Sequence, residues 1–280
     1  MRYAINLPNG GDAPYADPRA IADLAHEAEA AGWDGFFLWD HILLGAEGPP
    51  VVDPWIALAA AATRTERIRL GPMVTAVPRR RPWKVAREAV ALDHLSGGRA
   101  TLGVGLGFPP EVELAPFGEE LDLKVRAAML DEGLAIIDGL WSGEPFAFDG
   151  EHYHLAEVTF RPPPLQQPRI PIWVGATWPK RKPFRRAARW DGVVPEGAGG
   201  EQLTPAEVEE LVAFVHDEGA FERAFDVVIW GETSADEPEQ AHDIVATYAQ
   251  AGATWWSERL TPWRGPFAQM RARIAAGPPR

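Results

Sequence analysis

The stretch Gly32-Trp-Asp-Gly-Phe-Phe-Leu-Trp-Asp-His41 decides the fold of this chain. A helical segment that ends at Ala31-Gly32 leads into a short apolar strand, which stops abruptly on Asp40 and His41. In a parallel α/β protein, ligands bind and chemistry occurs at the carboxyl ends of the strands. An acid and an imidazole at such an end are therefore candidates for catalysis. A histidine held there only by structural hydrogen bonds is the alternative.

The same alternation of helix and apolar strand continues along the whole sequence. We predict strands over residues 2–7, 35–40, 68–75, 100–107, 170–177, 192–195, 225–231 and 254–259. Helices are predicted near residues 18–31, 54–65, 82–96, 120–141, 183–190, 205–218, 238–251 and 266–276. Eight strands that are each followed by a helix indicate an α/β fold, a (β/α)₈ TIM barrel. We expect one such domain over residues 1–280.

One region departs from this alternation. Residues 146–154 alternate apolar and polar side chains around Asp149-Gly150, a pattern typical of a β-hairpin. We predict a β-hairpin insertion between helix 4 and strand 5, on the amino-terminal side of the barrel. His152 and His154 alternate onto one face of the hairpin and invite a metal interpretation. No third ligand lies nearby in the sequence, so we predict a surface hairpin and no metal site.

Composition excludes several classes of function. The chain has 280 residues, 46% of them hydrophobic, with a formal net charge of −13 and no cysteine. This charge argues against general binding of nucleic acid or anionic membranes, and the absence of cysteine excludes disulfides and thiolate chemistry. The apolar run Tyr3–Leu7 is too short for a signal peptide, and no run reaches membrane-spanning length. We therefore expect a cytoplasmic protein.

Two glycine-containing strand ends could approach a ligand. Gly103-Val-Gly-Leu-Gly107 fails the dinucleotide spacing, because Pro110 stands where the last glycine belongs. These glycines either make room for a flat ring or mark a tight corner of the barrel. Gly175-Ala-Thr177 leads into a basic run over residues 180–186. Such a run predicts a phosphate cradle, with a solvated basic loop as the alternative.

Arginines and tryptophans also lie near strand ends. Arg79-Arg80-Arg81 follows the third strand and either attracts an anion or is solvated. Among the tryptophans, core packing is the default, and the strand-end positions could wall an aromatic pocket. These positions are Trp39, Trp178, Trp230 and Trp255 or Trp256.

The chain resembles the bacterial luciferase-like monooxygenase superfamily of flavin- or F420-dependent oxidoreductases, which have a (β/α)₈ fold. The matching stretches are residues 28–41, 67–74, 92–105 and 171–192, which cover residues 1–195 well, while the remainder matches mainly in pattern. The resemblance implies that the cofactor ring lies at the carboxyl end of the barrel. It also implies that a bulge in strand 3, often with a non-proline cis peptide, supports the ring at Met73-Val74.

The resemblance further assigns expected roles to residues. His41 would lie near the reactive carbon of the cofactor and stabilise charge or move a proton, with Asp40 as the second catalytic residue. Gly105 and Leu106 would pass beside the ring, and Gly175-Ala176 would meet the phosphate. The full expected cofactor-binding set is Asn6, Trp39, Met73, Val74, Gly105, Leu106, Gly107, Gly175, Ala176, Thr177 and Val194.

The sequence departs from some relatives at one catalytic position. Certain deazaflavin dehydrogenases of the superfamily carry a proton-donating acid just after the Gly-x-Gly-x-Gly run, where this chain has Phe108. Glu111 or Glu113 could substitute for it, and a sugar-phosphate dehydrogenase is less favoured.

The sequence leaves several functions open. It predicts an oxidoreductase or monooxygenase that acts on a small organic substrate with reduced FMN. The alternatives are hydride transfer with coenzyme F420, a flavin-binding barrel without catalysis and, last, a metal-dependent lyase or isomerase. Dimers are common among similar proteins, so a homodimer is the expectation.

Overall fold

A computed structural model describes residues 1–11, 13–45, 47–222 and 224–280, with only the main chain described at Ala13. Within these ranges, the main sheet contains nine parallel strands in the order β3-β2-β1-β11-β10-β9-β8-β5-β4. They are β1 Arg2–Leu7, β2 Gly35–Leu38, β3 Arg69–Pro72, β4 Thr75–Ala76, β5 Leu102–Gly105, β8 Ile172–Thr177, β9 Gly192–Glu196, β10 Asp226–Gly231 and β11 Trp255–Arg259. An antiparallel pair, β6 Pro145–Asp149 and β7 His154–Thr159, lies outside this sheet.

The sheet closes into a barrel through its third strand. β3 pairs with β2, whereas β4 pairs with β5, so the two short strands act as two halves of one barrel strand. A bridge between Leu70 and Ala100 joins β3 to the start of the β5 segment. The predicted (β/α)₈ fold is confirmed, and the continuous third strand expected over residues 68–75 is interrupted at residues 73–74.

The helices surround the barrel in the predicted order. Their bounds are α1 Pro18–Ala30, α2 Pro54–Ala62, α3 Pro82–Ser96, α4 Pro110–Glu113, α5 Leu123–Trp141, α6 Arg181–Ala187, α7 Pro205–Asp217, α8 Pro238–Gln250 and α9 Phe267–Ala275. Within the described ranges, none of them is long and apolar enough to cross a membrane. Helices α1, α2 and α7 each begin with an N-cap residue followed by proline. The side chains of the N-cap residues Asp17, Asp53 and Thr204 each accept a backbone N–H of the first turn.

Two apolar layers form the core. The larger one packs the outward-facing strand residues against the helices, as in Phe36 and Ile172. The smaller one fills the barrel interior with Ala4, Phe37, Met73, Trp173, Val228 and Trp255, and Val74 and Val194 pack against it. Within the described residues, these side chains fill the barrel interior as a solid plug, so a ligand of the barrel would bind above it, at the strand ends.

The predicted hairpin is present between α5 and β8, but its turn covers residues 150–153 rather than Asp149-Gly150, because Asp149 ends β6 and pairs with His154. Its turn is held by Glu132 of α5, which accepts the N–H groups of residues 151–153. The segment after the hairpin packs on the C-terminal end of α3, where Asp93 accepts the N–H groups of Leu165 and Gln166. Because barrel helices end at the amino-terminal face, this insertion lies on the side opposite the strand ends.

Candidate active site

Alternation along the parallel strands brings a set of side chains to the open end of the barrel. Side chains two residues apart share a face, so the residues that follow the interior plug also point inward. Asn6 follows Ala4, Trp39 follows Phe37, and Glu196 follows Val194 in this way. We call this open end the mouth. Its inward-facing residues are Asn6, Trp39, Thr177, Glu196, Trp230 and Arg259.

His41 lies beside the mouth with its ring held by a buried carboxylate. Its Nδ1 is 3.1 Å from Oε1 of Glu113, and its side chain is 22% exposed. The main chain of His41 is fixed by Asn9, whose Oδ1 accepts the His41 N–H and whose Nδ2 donates to the His41 carbonyl. The ring centroid of Trp39 is 5.6 Å away, in an edge arrangement. With Nδ1 turned toward Glu113, Nε2 is the nitrogen left to meet a ligand.

Glu113 reaches this position from α4, in the loop after β5. Its side chain is 1% exposed, and it accepts the N–H groups of Ile42 and Leu43 and a bond from Arg79 Nη1. Burial opposes ionisation, but the contact with His41 and the two backbone N–H groups outweigh it and lower the pKa of Glu113. The buried group is therefore a carboxylate that can orient the His41 ring.

Asp40 has a different environment from the one the sequence suggested. Its Oδ1 accepts from Arg79 and Arg80, each at 2.9 Å, and its Oδ2 accepts from Thr75 at 2.7 Å. Because its side chain is 1% exposed and protein donors bind both oxygens, Asp40 fixes the arginines behind His41 and does not face the mouth.

Arg79 and Arg80, which follow the third strand, were expected either to attract an anion or to be solvated, and they do neither. Arg79 is buried and bridges Asp40 and Glu113, and Arg80 pairs with Asp40 and Glu88. These two side chains are neither solvated nor available to an external anion. Burial opposes the charge of Arg80, yet Asp40 raises its pKa.

The broken third strand determines where the glycines lie. The Met73-Val74 peptide bond is cis, at the position that the resemblance implied. A Cβ on Gly103 would lie 2.3 Å from the Pro72 carbonyl oxygen, and one on Gly105 would lie 2.6 Å from Val74 Cγ2. The glycines of β5 are therefore required by the close approach of the third strand, which supports the tight-corner interpretation.

The loop after β5 is held by a buried arginine that the sequence analysis did not single out. Arg126 of α5 donates from Nη1 to the carbonyls of Leu106 and Gly107, each at 2.8 Å. The side chain of Leu106 packs against the outer apolar layer. This residue can therefore approach a cofactor only through its main chain.

The side chain of Asn6 places a buried hydrogen-bond acceptor at the mouth. It is buried, and among the described residues its Oδ1 has no hydrogen-bond partner. Buried polar atoms are nearly always paired, so an orphaned acceptor at the mouth indicates a ligand donor. A reduced flavin or deazaflavin ring carries N–H groups of this kind. Val74 and Val194, partly exposed above the plug, supply apolar surface for a flat ring.

The segment Gly175–Thr177 lies in β8 beside β9. Gly175 and Thr177 face inward, whereas Ala176 packs in the outer layer and offers only its main chain. In the following basic run, Arg181 stacks on Trp178, and Arg185 and Arg186 form ion pairs. Of these three arginines only Arg186 is buried, while Arg181 and Arg185 are exposed together with Lys180 and Lys182. The phosphate cradle stays a prediction.

The opposite side of the mouth carries a second carboxylate, which the sequence analysis missed. Glu196 is exposed at the strand ends, where the surrounding protein still removes part of its solvent and raises its pKa, and Arg259 offsets part of that effect. The Arg259 guanidinium carbon lies 3.5 Å from the ring centroid of Trp230 and also pairs with Glu232. Counting two residues on from Val194 would have placed Glu196 on the inner face.

The tryptophans divide between the mouth and the core. Trp39 and Trp230 are at the mouth, as expected for an aromatic wall. Trp178, Trp255 and Trp256 are buried, so for these three the core interpretation holds. Phe108, at the position of the relatives' acid, is 71% exposed.

The fold and site define a (β/α)₈ barrel whose strand ends carry a histidine–carboxylate pair and an unpaired amide. The model of the luciferase-like monooxygenase family matches residues 1–277. The chain belongs to this family.

Relatives and solved structures agree with this assignment. An F420-dependent glucose-6-phosphate dehydrogenase from Beutenbergia cavernae is 36% identical over 193 residues, which are 66% of this chain and 55% of the relative. One from Kineococcus radiotolerans is 31% identical over 248 residues, 85% of this chain and 70% of the relative. The chain spans about half the length of the first three curated relatives it matches.

Solved structures of similar fold cover nearly the whole chain. The coenzyme F420-dependent tetrahydromethanopterin reductase from Methanopyrus kandleri has a TM-score of 0.79 at 18% identity, covering 99% of this chain and 96% of its own. A monooxygenase from Streptomyces bottropensis has a TM-score of 0.74 at 21% identity, covering 99% and 98%. At these identities the likeness shows the fold.

Proposed function

We propose that this chain is an oxidoreductase that binds a deazaflavin cofactor of the coenzyme F420 type at the mouth and transfers hydride to or from a small organic substrate. The observation that carries this proposal is the His41–Glu113 pair beside the mouth. Hydride transfer to a carbonyl or from an alcohol requires a proton at the substrate oxygen, and a histidine beside a buried carboxylate can exchange that proton. The names of the relatives from Beutenbergia and Kineococcus also support F420.

The residues at the mouth fit such a cofactor. Asn6 Oδ1 would accept a ring N–H, and Val74 and Val194 would contact the ring face. Gly175 would allow close approach because it has no side chain. When bound, the cofactor supplies two-electron hydride chemistry at its ring.

The chain's own groups then manage the proton. His41 Nε2 donates a proton to the substrate oxygen or accepts one from it, while Glu113 holds Nδ1 and orients the ring. Asp40 and Arg79 do not touch the substrate in this proposal. Arg79 forms a buried ion pair with Glu113 and holds it in place, and Asp40 in turn fixes Arg79.

Reduced FMN is the second cofactor to test, since the sequence analysis favoured it and a flat isoalloxazine ring fits the same surfaces. The purified chain is titrated with oxidised and reduced F420 and FMN, with ligand fluorescence as the readout. We expect F420 to bind more tightly. Asn6→Leu should weaken binding by about ten-fold, the equivalent of one buried hydrogen bond. Thr247→Val, on the exposed side of α8, is the control.

Turnover separates the catalytic proposal from simple cofactor binding. A panel of small alcohols and ketones is assayed with the bound cofactor. His41→Gln should keep cofactor affinity and lower kcat by about 10²-fold or more, the usual contribution of a general acid or base. Binding of neither cofactor would overturn the proposal. Cofactor binding without turnover in the wild type would favour a non-catalytic flavin-binding barrel, and tight binding of FMN alone would favour the monooxygenase.

A further inference from the structure

A small apolar cavity lies at the carboxyl end of the barrel, formed by residues that have no role in the proposed proton transfer. We call it the Trp263 pocket. It has a volume of about 170 Å³ and is lined by Pro8, Gly10, Gly11, Leu44, Pro49, Pro262 and Trp263. These residues come from the loops after β1, β2 and β11, all at the carboxyl end of the barrel.

Two neighbouring residues, Asn9 and Trp39, connect the pocket to His41. Asn9 lies in the chain between two lining residues, Pro8 and Gly10, and forms two hydrogen bonds with the main chain of His41. On the other side, the ring of Trp263 stacks on Trp39 with centroids 6.0 Å apart, and Trp39 contacts the edge of the His41 ring. A group bound in the pocket is therefore separated from His41 by a single residue, Asn9 on one side and Trp39 on the other.

The chemistry of the lining selects an uncharged, apolar group. Prolines, glycines, a leucine and a tryptophan form it, and none of these lining side chains carries a charge. An apolar cavity of about 150 Å³ is large enough to hold benzene. The Trp263 pocket is of similar size, so it suits one six-membered ring or a short branched chain.

The arginines near the pocket and mouth argue against a phosphorylated substrate. Arg79 and Arg80 pair with Asp40, and Arg259 is covered by Trp230 and paired with Glu232. Arg264, next to Trp263 in the chain, pairs with the buried Glu258. Each of these four guanidiniums already has a carboxylate partner, so a phosphate would have to compete with that partner.

We propose that the Trp263 pocket binds the apolar part of a neutral substrate, of the size of a cyclic ketone or alcohol, and holds its oxygen toward His41. This inference rests on the proposed function, because it assigns the substrate class of the same site. Trp263 is 75% exposed, so its ring forms the outer wall of the pocket and gives a fluorescence signal on binding.

Cyclohexanone and glucose 6-phosphate serve as the neutral and the charged probes, titrated by tryptophan fluorescence and calorimetry. Cyclohexanone should bind, and glucose 6-phosphate should not compete with it. Leu44→Trp fills the pocket and should weaken cyclohexanone binding by about ten-fold. Leu165→Trp, a half-exposed leucine on the amino-terminal side, is the matched control and should leave it unchanged.

Cofactor affinity is measured in the same samples, so the two proposals can fail separately. If cyclohexanone binds and responds to Leu44→Trp while no cofactor binds, the proposed function is wrong and the pocket assignment stands. If the cofactor binds but cyclohexanone does not, or if Leu44→Trp binds it like the wild type, the pocket assignment is wrong. Tighter binding of glucose 6-phosphate than of cyclohexanone would also overturn it.

Discussion

Glutamine at position 113 would test the buried network behind His41. The substitution Glu113→Gln preserves the shape of the side chain and removes its charge. Glu113 is 1% exposed and contacts Arg79 and His41 while accepting two backbone N–H groups. The variant therefore leaves Arg79 with Asp40 as its remaining carboxylate.

The expected loss of stability follows from this geometry. Removing one partner of a buried ion pair typically costs about 3–5 kcal/mol, because the other charge is left without compensation. Since Arg79 keeps Asp40, the loss should lie at the lower end, about 3 kcal/mol in the free energy of unfolding at pH 7. Urea unfolding followed by circular dichroism measures this difference directly.

The pH dependence of this difference has a definite sign. The pKa of Glu113 is lowered in the folded protein, so its ionisation stabilises the fold above the unfolded pKa of about 4.3. That contribution is lost as the pH falls through the lower, folded pKa. The gap between wild type and variant should therefore narrow in acid.

The matched control is Glu111→Gln, two residues earlier on the exposed side of α4. It should change the free energy of unfolding by less than about 0.5 kcal/mol, as surface substitutions do. A loss below about 1 kcal/mol for Glu113→Gln, or a gap that widens in acid, would refute the buried network.

Three further predictions concern stability, each measured by urea unfolding. Gly105→Ala should cost about 1–3 kcal/mol, because its Cβ would lie 2.6 Å from Val74 Cγ2, whereas Gly175→Ala, whose nearest contact is 3.3 Å, should cost less. Glu196→Gln should stabilise the protein at pH 7 and have no effect in acid, because the pKa of Glu196 is raised and its carboxylate form is the disfavoured one. Glu29→Gln should lower the free energy of unfolding by about 2 kcal/mol, because Glu29 accepts the backbone N–H groups that lead into β3. These bonds outweigh the effect of burial and lower the pKa of Glu29.

The helices and strands could be predicted from short stretches of sequence because the residues that start and end them lie within those stretches. The helix predicted over residues 82–96 is α3, and the proline that starts it and the glycine that follows it are both visible in the sequence. Gly97 ends the helix with a φ of 68°, which glycine adopts readily. The interruption of the third strand has no such local cause. The apolar run over residues 68–75 is consistent with a continuous strand, and the break at Met73-Val74 was implied only by the family resemblance.

The side-chain network behind His41 could not be predicted from the sequence. Arg79 lies 34 residues from Glu113 and 39 from Asp40 in the chain, so neither partner is evident from spacing. An arginine run in a sequence is usually solvated, and only the fold shows that two carboxylates bury Arg79. Similarly, the sequence does not distinguish Glu111 from Glu113 as the acid near His41. In the structure, the short helix α4 places Glu113 against His41 and leaves Glu111 in solvent.

The two carboxylates of this site show why position in the fold, and not residue type, decides function. Glu113 is surrounded by N–H donors and cations, and its pKa is lowered, whereas Glu196 lies among strand ends with one partial counter-charge, and its pKa is raised. When their environments move the pKa values of two acids in opposite directions, one site obtains both a permanent charge and a group that can hold a proton. Glu113 fits the first role, which is to orient His41. Glu196 has the character of the second, and because it faces the mouth, it is the carboxyl group to test for the acid that Phe108 cannot supply.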